Sequence, residues 1–216
     1  MVGNFTRDYQ RLGMDKIIHQ LWGGTSPMTS NYLQCMNTVI DKNPGWKHRL
    51  WDDKAAYEQT ADVICELKIP FHDYKYDICR WDILRVLILY KFGGICCDLD
   101  MECIESLENF PLTNHCGFLF EPKVSRSSNS FVHQSFIYSD PGDEFLRFIL
   151  KRSRIKYNNI DEVTSPGDYI SQTIGPDMLT SIYHSYRYKD NIQLIPPNLI
   201  ERYIHHHNFA GWKENP

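Results

Sequence analysis

The apolar positions of the chain fall into short runs whose period changes several times. Lys16-Ile-Ile-His-Gln-Leu-Trp22 is a mostly apolar run closed by Gly23-Gly24, and it reads as a buried strand. Ser30 to Asp41 carries Tyr32, Leu33, Met36, Val39 and Ile40 at roughly helical spacing, and Asn43-Pro44-Gly45 follows as a turn. Trp46 to Trp51 alternates as a second strand, and Lys54 to Leu67 reads as a helix that stops before Pro70. The strongest helix is Tyr76 to Lys91, where Ile78, Trp81, Ile83, Leu84, Leu87, Ile88 and Tyr90 define a wide apolar face. Phe92-Gly93-Gly94 ends it. Ile95 to Met101 is then predicted as one short strand carrying two aspartates. Further on, Phe118 to Phe120 and Ser135 to Tyr138 read as strands, and Asp143 to Lys156 as a helix. Ser165-Pro166-Gly167 opens another segment. Asp177 to His184 is a helix started by Pro176, and Ile192 to Ile195 is a last strand. The tail from Tyr203 to Pro216, rich in His and aromatic residues, is expected to be a loop.

Alternation of strands and helices favours an α/β domain with a largely parallel sheet. At 216 residues the chain suits one domain, residues 16–216, preceded by a polar arm, residues 1–15. With 42% hydrophobic and 23% charged residues, disorder throughout is excluded. The net charge of −4 supplies no basic field for nucleic acid, so none is expected as a partner. No run reaches the roughly 20 apolar residues of a membrane span. The best stretch, Ile83 to Cys97, is broken by Arg85, Lys91 and the glycine pair. Met1 to Lys16 lacks the apolar core of a signal peptide, and Asn4-Phe5-Thr6 then reads as a chance sequon. The seven cysteines are odd in number and include no C-x-x-C pair. They read as packing residues in a reducing, cytoplasmic setting.

The sharpest local feature is Asp98-Leu99-Asp100. In a strand these carboxylates, at i and i+2, point to one side and converge. Two carboxylates that close repel, and a hard cation such as Mn²⁺ or Mg²⁺ relieves the repulsion. An ordinary strand-end turn with two solvated aspartates is the competing reading. Asp82 and Arg85, at i and i+3, share one face of the helix before the glycine pair. They read either as a local ion pair or as two groups aimed together at a polar ligand.

The stretch from Tyr76 to Asp100, with D-x-x-R at Asp82 and Arg85, then L-Y-x-x-G-G and D-x-D, resembles the core of the DXD-containing sugar transferases. That family includes the fungal initiating α-1,6-mannosyltransferase and relatives of the α-1,4-galactosyltransferases. The catalytic domains of clostridial glucosylating toxins are similar over the same segment. Lys16 to Gly24 resembles the family's N-terminal K-I-I-H-Q-x-W strand. Asn43-Pro-Gly-Trp46 with Leu50-Trp51, Thr173 to Pro176, and His205 to Trp212 resemble three further elements. Cys96 or Cys97 stands where the family carries an aromatic residue, and the terminal element lacks its Ser. Residues 123–129 match nothing in the pattern.

The resemblance implies the GT-A fold, a Rossmann-like sheet in a single domain. Residues 16–103 would form the nucleotide-sugar and metal half, 104–202 the acceptor half, and 203–216 a closing tail. It implies a metal-dependent, retaining transfer of a hexose from a nucleotide-diphospho sugar to a glycan, glycoprotein or other hydroxyl acceptor. A UDP-sugar is the favoured donor and GDP-mannose the second. Asp98 and Asp100 would hold Mn²⁺ or Mg²⁺, with His207 completing the shell by counting back from Trp212. Asp82 and Arg85 would hold the donor sugar and its phosphate. Trp22, with Leu21 beside it, would meet the base, unless Trp22 is a core residue. Trp212 would cover the diphosphate. Two rival classes are a metal-dependent phosphoesterase or nuclease, which also uses paired aspartates and histidines, and a non-catalytic carbohydrate-binding module.

Overall fold

A computed structural model describes residues 14–23, 26–121, 132–157 and 165–209. The order is β1 (Ile17–Leu21), α1 (Ser30–Lys42), β2 (Lys47–Trp51), α2 (Asp53–Leu67), α3 (Asp77–Phe92), β3 (Gly94–Cys97), β4 (Met101–Cys103) and β5 (Cys116–Phe120). It continues with β6 (Val132–Ser139), α4 (Glu144–Tyr157), α5 (Pro166–Thr173), α6 (Pro176–Ser185), β7 (Ile192–Ile195), α7 (Pro197–Ile200) and β8 (Ile204–His206). Six strands form one sheet in the order β2-β1-β3-β6-β5-β7. All run one way except β6, which is antiparallel to both of its neighbours. The mixed α/β architecture with a mostly parallel sheet is the one the alternation predicts.

The helix α3 explains why the sheet has a deep core. Its residues from Asp82 to Leu89 are all buried, so it is apolar nearly all round and sits between layers. It packs in one cluster with α2, α4, α5 and α6. A second cluster, around Val39, Trp46, Met101, Phe110 and Ile204, joins α1 and the β4–β8 pair to the opposite side. Asp52 caps α2 by accepting from the Ala55 amide at 2.7 Å, satisfying a free N–H of the first turn.

The exit from α3 depends on its two glycines. Gly93 has φ +65° and Gly94 φ +93°, a region L side chains rarely adopt. A Cβ at Gly94 would also lie 2.5 Å from the Ile17 carbonyl. This close approach lets β3 enter directly beside β1. His19 locks the same corner: Trp51 Nε1 donates to its Nδ1 at 3.0 Å, and its Nε2–H donates to the Gly93 carbonyl at 3.0 Å. The ring is therefore neutral, with its proton on Nε2.

Two expectations are corrected. The strand predicted from Ile95 to Met101 is two strands, since β3 ends at Cys97 and β4 starts at Met101. Asp98, Leu99 and Asp100 form the turn between them, closed by the Met101 amide on the Asp98 carbonyl at 3.2 Å. Leu99 is buried, which turns the two carboxylates the other way. The tail is not wholly a loop either. Its β8 pairs antiparallel with β4, Met101 opposite His206 and Glu102 opposite His205. Residues 1–13, including the sequon, lie outside the described residues, as do 123–129 and Trp212.

Burial depresses the His19 pKa from 6.5 to about 4, with smaller contributions from Arg49 and His48 against the favourable Gly93 bond. The unfolded chain therefore takes up this proton first as pH falls. The stability it contributes is complete above pH 6.5 and is lost on acidification toward pH 4, a total of about 3 kcal/mol. Urea unfolding of the wild type and of His19→Gln across this window tests the assignment. The wild type should show the steeper pH dependence; equal slopes would remove His19 from it.

Candidate active site

Six polar side chains, of Asp82, Arg85, Asp98, Asp100, Gln134 and His206, meet where α3, the β3–β4 turn, β6 and β8 come together. Arg85 is the hub. Its side chain is about 11% exposed, and its NH1 lies 2.7 Å from Asp98 Oδ1. The same nitrogen donates to the Gln134 carbonyl at 2.7 Å. Asp82, one turn back on α3, stands 3.9 Å from Arg85 NH2. The local ion pair considered from spacing alone is thus the looser of Arg85's two carboxylate contacts. Burial opposes the charge on Arg85, but Asp98 and Asp82 hold it firmly protonated. Asp82 is buried, and loss of solvent pushes its pKa up to about 6 despite Arg85 and a hydrogen bond from the Gln134 side chain.

On the other side of the turn, Asp100 faces the tail. His206 Nε2 lies 3.2 Å from Asp100 Oδ1, and the Phe209 amide donates to Oδ2 at 2.9 Å. Burial opposes ionisation of Asp100, but His206 and the Phe209 amide outweigh it and hold the carboxyl below its usual range. The same pairing raises the His206 pKa against the effect of burial. Asp98, Asp100 and His206 each offer a ligand atom, and those atoms lie within 4.8 Å of one another. Two carboxylate oxygens and one imidazole nitrogen fit Mn²⁺ or Mg²⁺, with positions left for substrate oxygens.

The imidazole in this group is His206, where counting from the tail favours His207. Strand alternation is the reason: β8 turns His206 toward Asp100 and its neighbours away. His207 Nε2 instead pairs with Glu102 at 2.9 Å, and the His205 and His207 rings meet at 4.6 Å. Trp22 is half-buried at the end of β1, so it is not a core residue. Its Nε1 donates to the Ser26 carbonyl at 2.9 Å, and its ring packs 5.2 Å from Tyr32. Leu21, also half-buried, packs against the α3 cluster.

Spacing alone does not bring out Gln134. Two buried atoms at this site, Arg85 Nε and Gln134 Oε1, meet no partner among the described residues. One donates and the other accepts, which is the pairing a ligand hydroxyl completes. A signal was present in the sequence: Gln134 interrupts the apolar side of a strand. His133 lies alongside, its Nδ1 accepting from Ser135 Oγ at 2.8 Å and its ring 6.4 Å from that of His206. Burial holds its pKa below the ordinary value.

This sheet, with its acidic turn at the end of β3, is the GT-A architecture of nucleotide-sugar transferases. The catalytic domain of the Clostridium novyi α-toxin superposes with a TM-score of 0.56 at 12% identity, over 93% of this chain and 79% of that domain. The UDP-bound glycosyltransferase domain of the YGT toxin superposes with a TM-score of 0.54 at 9% identity, over 84% and 79%. Residues 29–116 match the family model described as the glycosyltransferase sugar-binding region containing DXD motif. Inositol phosphoceramide mannosyltransferase 3 of Schizosaccharomyces pombe is 28% identical over 179 residues, 82% of this chain and 47% of that protein. The chain spans about half the length of the curated relatives it matches first. No helix among the described residues is long and apolar enough to cross a membrane.

The two imidazoles can be told apart by metal titration. His206→Ala should weaken Mn²⁺ affinity about tenfold or more, and His207→Ala should leave it nearly unchanged. Calorimetric titration of the two variants checks this, and the opposite order would restore His207 to the cation.

Proposed function

We propose that the protein is a metal-dependent, retaining glycosyltransferase that moves a hexose from a nucleotide-diphospho sugar to a hydroxyl of a glycan, glycoprotein or related acceptor. The observation that carries the reading is the convergence of Asp82 and Arg85 with Asp98, Asp100 and His206 around the unpartnered Arg85 Nε and Gln134 Oε1. Asp98, Asp100 and His206 would hold a divalent cation, which would supply Lewis-acid neutralisation of the departing diphosphate. Arg85 adds a fixed positive charge on the same side, already oriented by Asp98 and the Gln134 carbonyl. Asp82 and Gln134 bind hydroxyls of the hexose. Trp22 and Leu21 flank the base. The tail, joined to Asp100 through the Phe209 amide, excludes water. No carboxylate in this set is assigned as a covalent nucleophile, so attack and departure share one face of the sugar.

A UDP-sugar is the favoured donor, supported by the UDP-bound toxin domain of like fold. A mannosyl donor such as GDP-mannose is the second reading, supported by the mannosyltransferase relative. The nuclease alternative needs two adjacent cations, whereas one such ligand group occurs among the described residues. A reducing, cytoplasmic setting belongs to the same reading, supported by seven cysteines of which none is paired.

Incubation with Mn²⁺ and a panel of UDP- and GDP-sugars should reveal metal-dependent binding of one donor and its slow hydrolysis. Asp100→Ala should lower that turnover roughly a thousandfold. If no nucleotide sugar binds in the presence of metal, the transferase reading is wrong.

A further inference from the structure

A second pocket lies on the far side of Asp100, between the first turns of α1 and the β4–β8 pair. Its volume is about 250 Å³, and it is lined by Asn31, Gln34, Cys35, Glu102, His207 and Phe209. None of these side chains belongs to the cluster around Arg85. The two sites share the turn and the tail: the His207 amide donates to the Asp100 carbonyl at 3.0 Å, and the Phe209 amide to the Asp100 carboxylate at 2.9 Å.

The lining defines a ligand chemistry. Asn31 and Gln34 are exposed carboxamides, each able to donate and accept. Glu102 and His207 form a pair at 2.9 Å that leaves further carboxylate lone pairs and the second ring nitrogen to bond. Phe209 is 38% exposed, stacked on His207 on one side and edge-on to Tyr32 at 5.3 Å. Planar amides, one carboxylate, one imidazole and an aromatic face suit a neutral ring bearing several hydroxyls. No Lys or Arg lines the pocket, and Glu102 would repel a phosphate. Four of the six lining residues, Asn31, Gln34, Glu102 and His207, carry polar groups that an acyl chain could not pair. The volume falls just below that of pockets for drug-sized ligands and is in scale with a single six-membered ring.

We propose that this pocket binds a cyclic polyol, a hexose or an inositol ring, and holds the acceptor's hydroxyl-bearing ring next to the Asp100 turn. The acceptor role rests on the transferase reading; the polyol site itself does not. Asn31 and Gln34 grip ring hydroxyls, the Phe209 face covers the C–H side, and the Glu102–His207 pair orients a hydroxyl toward the tail.

The test uses the whole chain, with methyl α-D-mannopyranoside and myo-inositol as separate probes, followed by ¹⁵N-detected NMR titration. One of them should shift the side-chain amide signals of Asn31 and Gln34 in a saturable manner. The double variant Asn31→Ala/Gln34→Ala, on an exposed helix face and checked for native circular dichroism, should bind that probe about tenfold more weakly. A parallel titration with Mn²⁺ and the nucleotide-sugar panel separates the two claims. Polyol binding without nucleotide binding supports the pocket and removes the transferase reading. Nucleotide binding without saturable polyol binding overturns the pocket alone. The proposal is also overturned if the nucleotide sugar itself shifts Asn31 and Gln34, or if the polyol shifts only residues around Asp82 and Gln134.

Discussion

The buried guanidinium of Arg85 is the constraint on which the site depends. A cation removed from water is costly unless its charge and its N–H groups are matched. Asp98 matches the charge and the Gln134 carbonyl takes a hydrogen bond, both at 2.7 Å. One comes from the turn that follows β3 and the other from the first half of β6, so satisfying one side chain draws both onto α3. The turn that carries Asp100 cannot then drift, and β8 has a fixed surface against which to pair. The demand of a single ion is thus spread over four elements.

Much of the fold was legible because its signals are long and redundant. The wide apolar face of α3, the glycine pair after it and the proline and glycine breaks fix the order of elements almost to the residue. The acidic turn was not legible as a turn. A run of seven residues from Ile95 to Met101 carries enough apolar side chains to read as one strand. Only the burial of Leu99 against the core, a tertiary fact, folds it back on itself. The tail strand escaped notice for a related reason. Three residues pairing with three others leave almost no periodicity, and their partner is about a hundred residues away in sequence.

The site was legible in its residue types and less so in its wiring. Asp82, Arg85, Asp98 and Asp100 do gather in one place, as their spacing suggests. What spacing cannot decide is which carboxylate a cation prefers. Arg85 lies closer to Asp98 across the turn than to Asp82 on its own helix, because the turn delivers an oxygen directly whereas the helical neighbour reaches only 3.9 Å. Gln134 went unseen because its two polar roles are split. Its backbone serves Arg85, and its side chain reaches Asp82 with one atom left over.

The run His205-His206-His207 lies on a strand so short that its register rests on three pairs. In an ordinary strand a slip of one residue exchanges the inner and outer faces and would replace the functional side chain by an unrelated one. Here a slip in either direction presents another imidazole to Asp100. The repetition makes the chemistry at that position tolerant of small insertions or deletions in the chain on either side. A lineage could therefore vary the lengths of the loops leading to the tail without losing the imidazole beside the carboxylates.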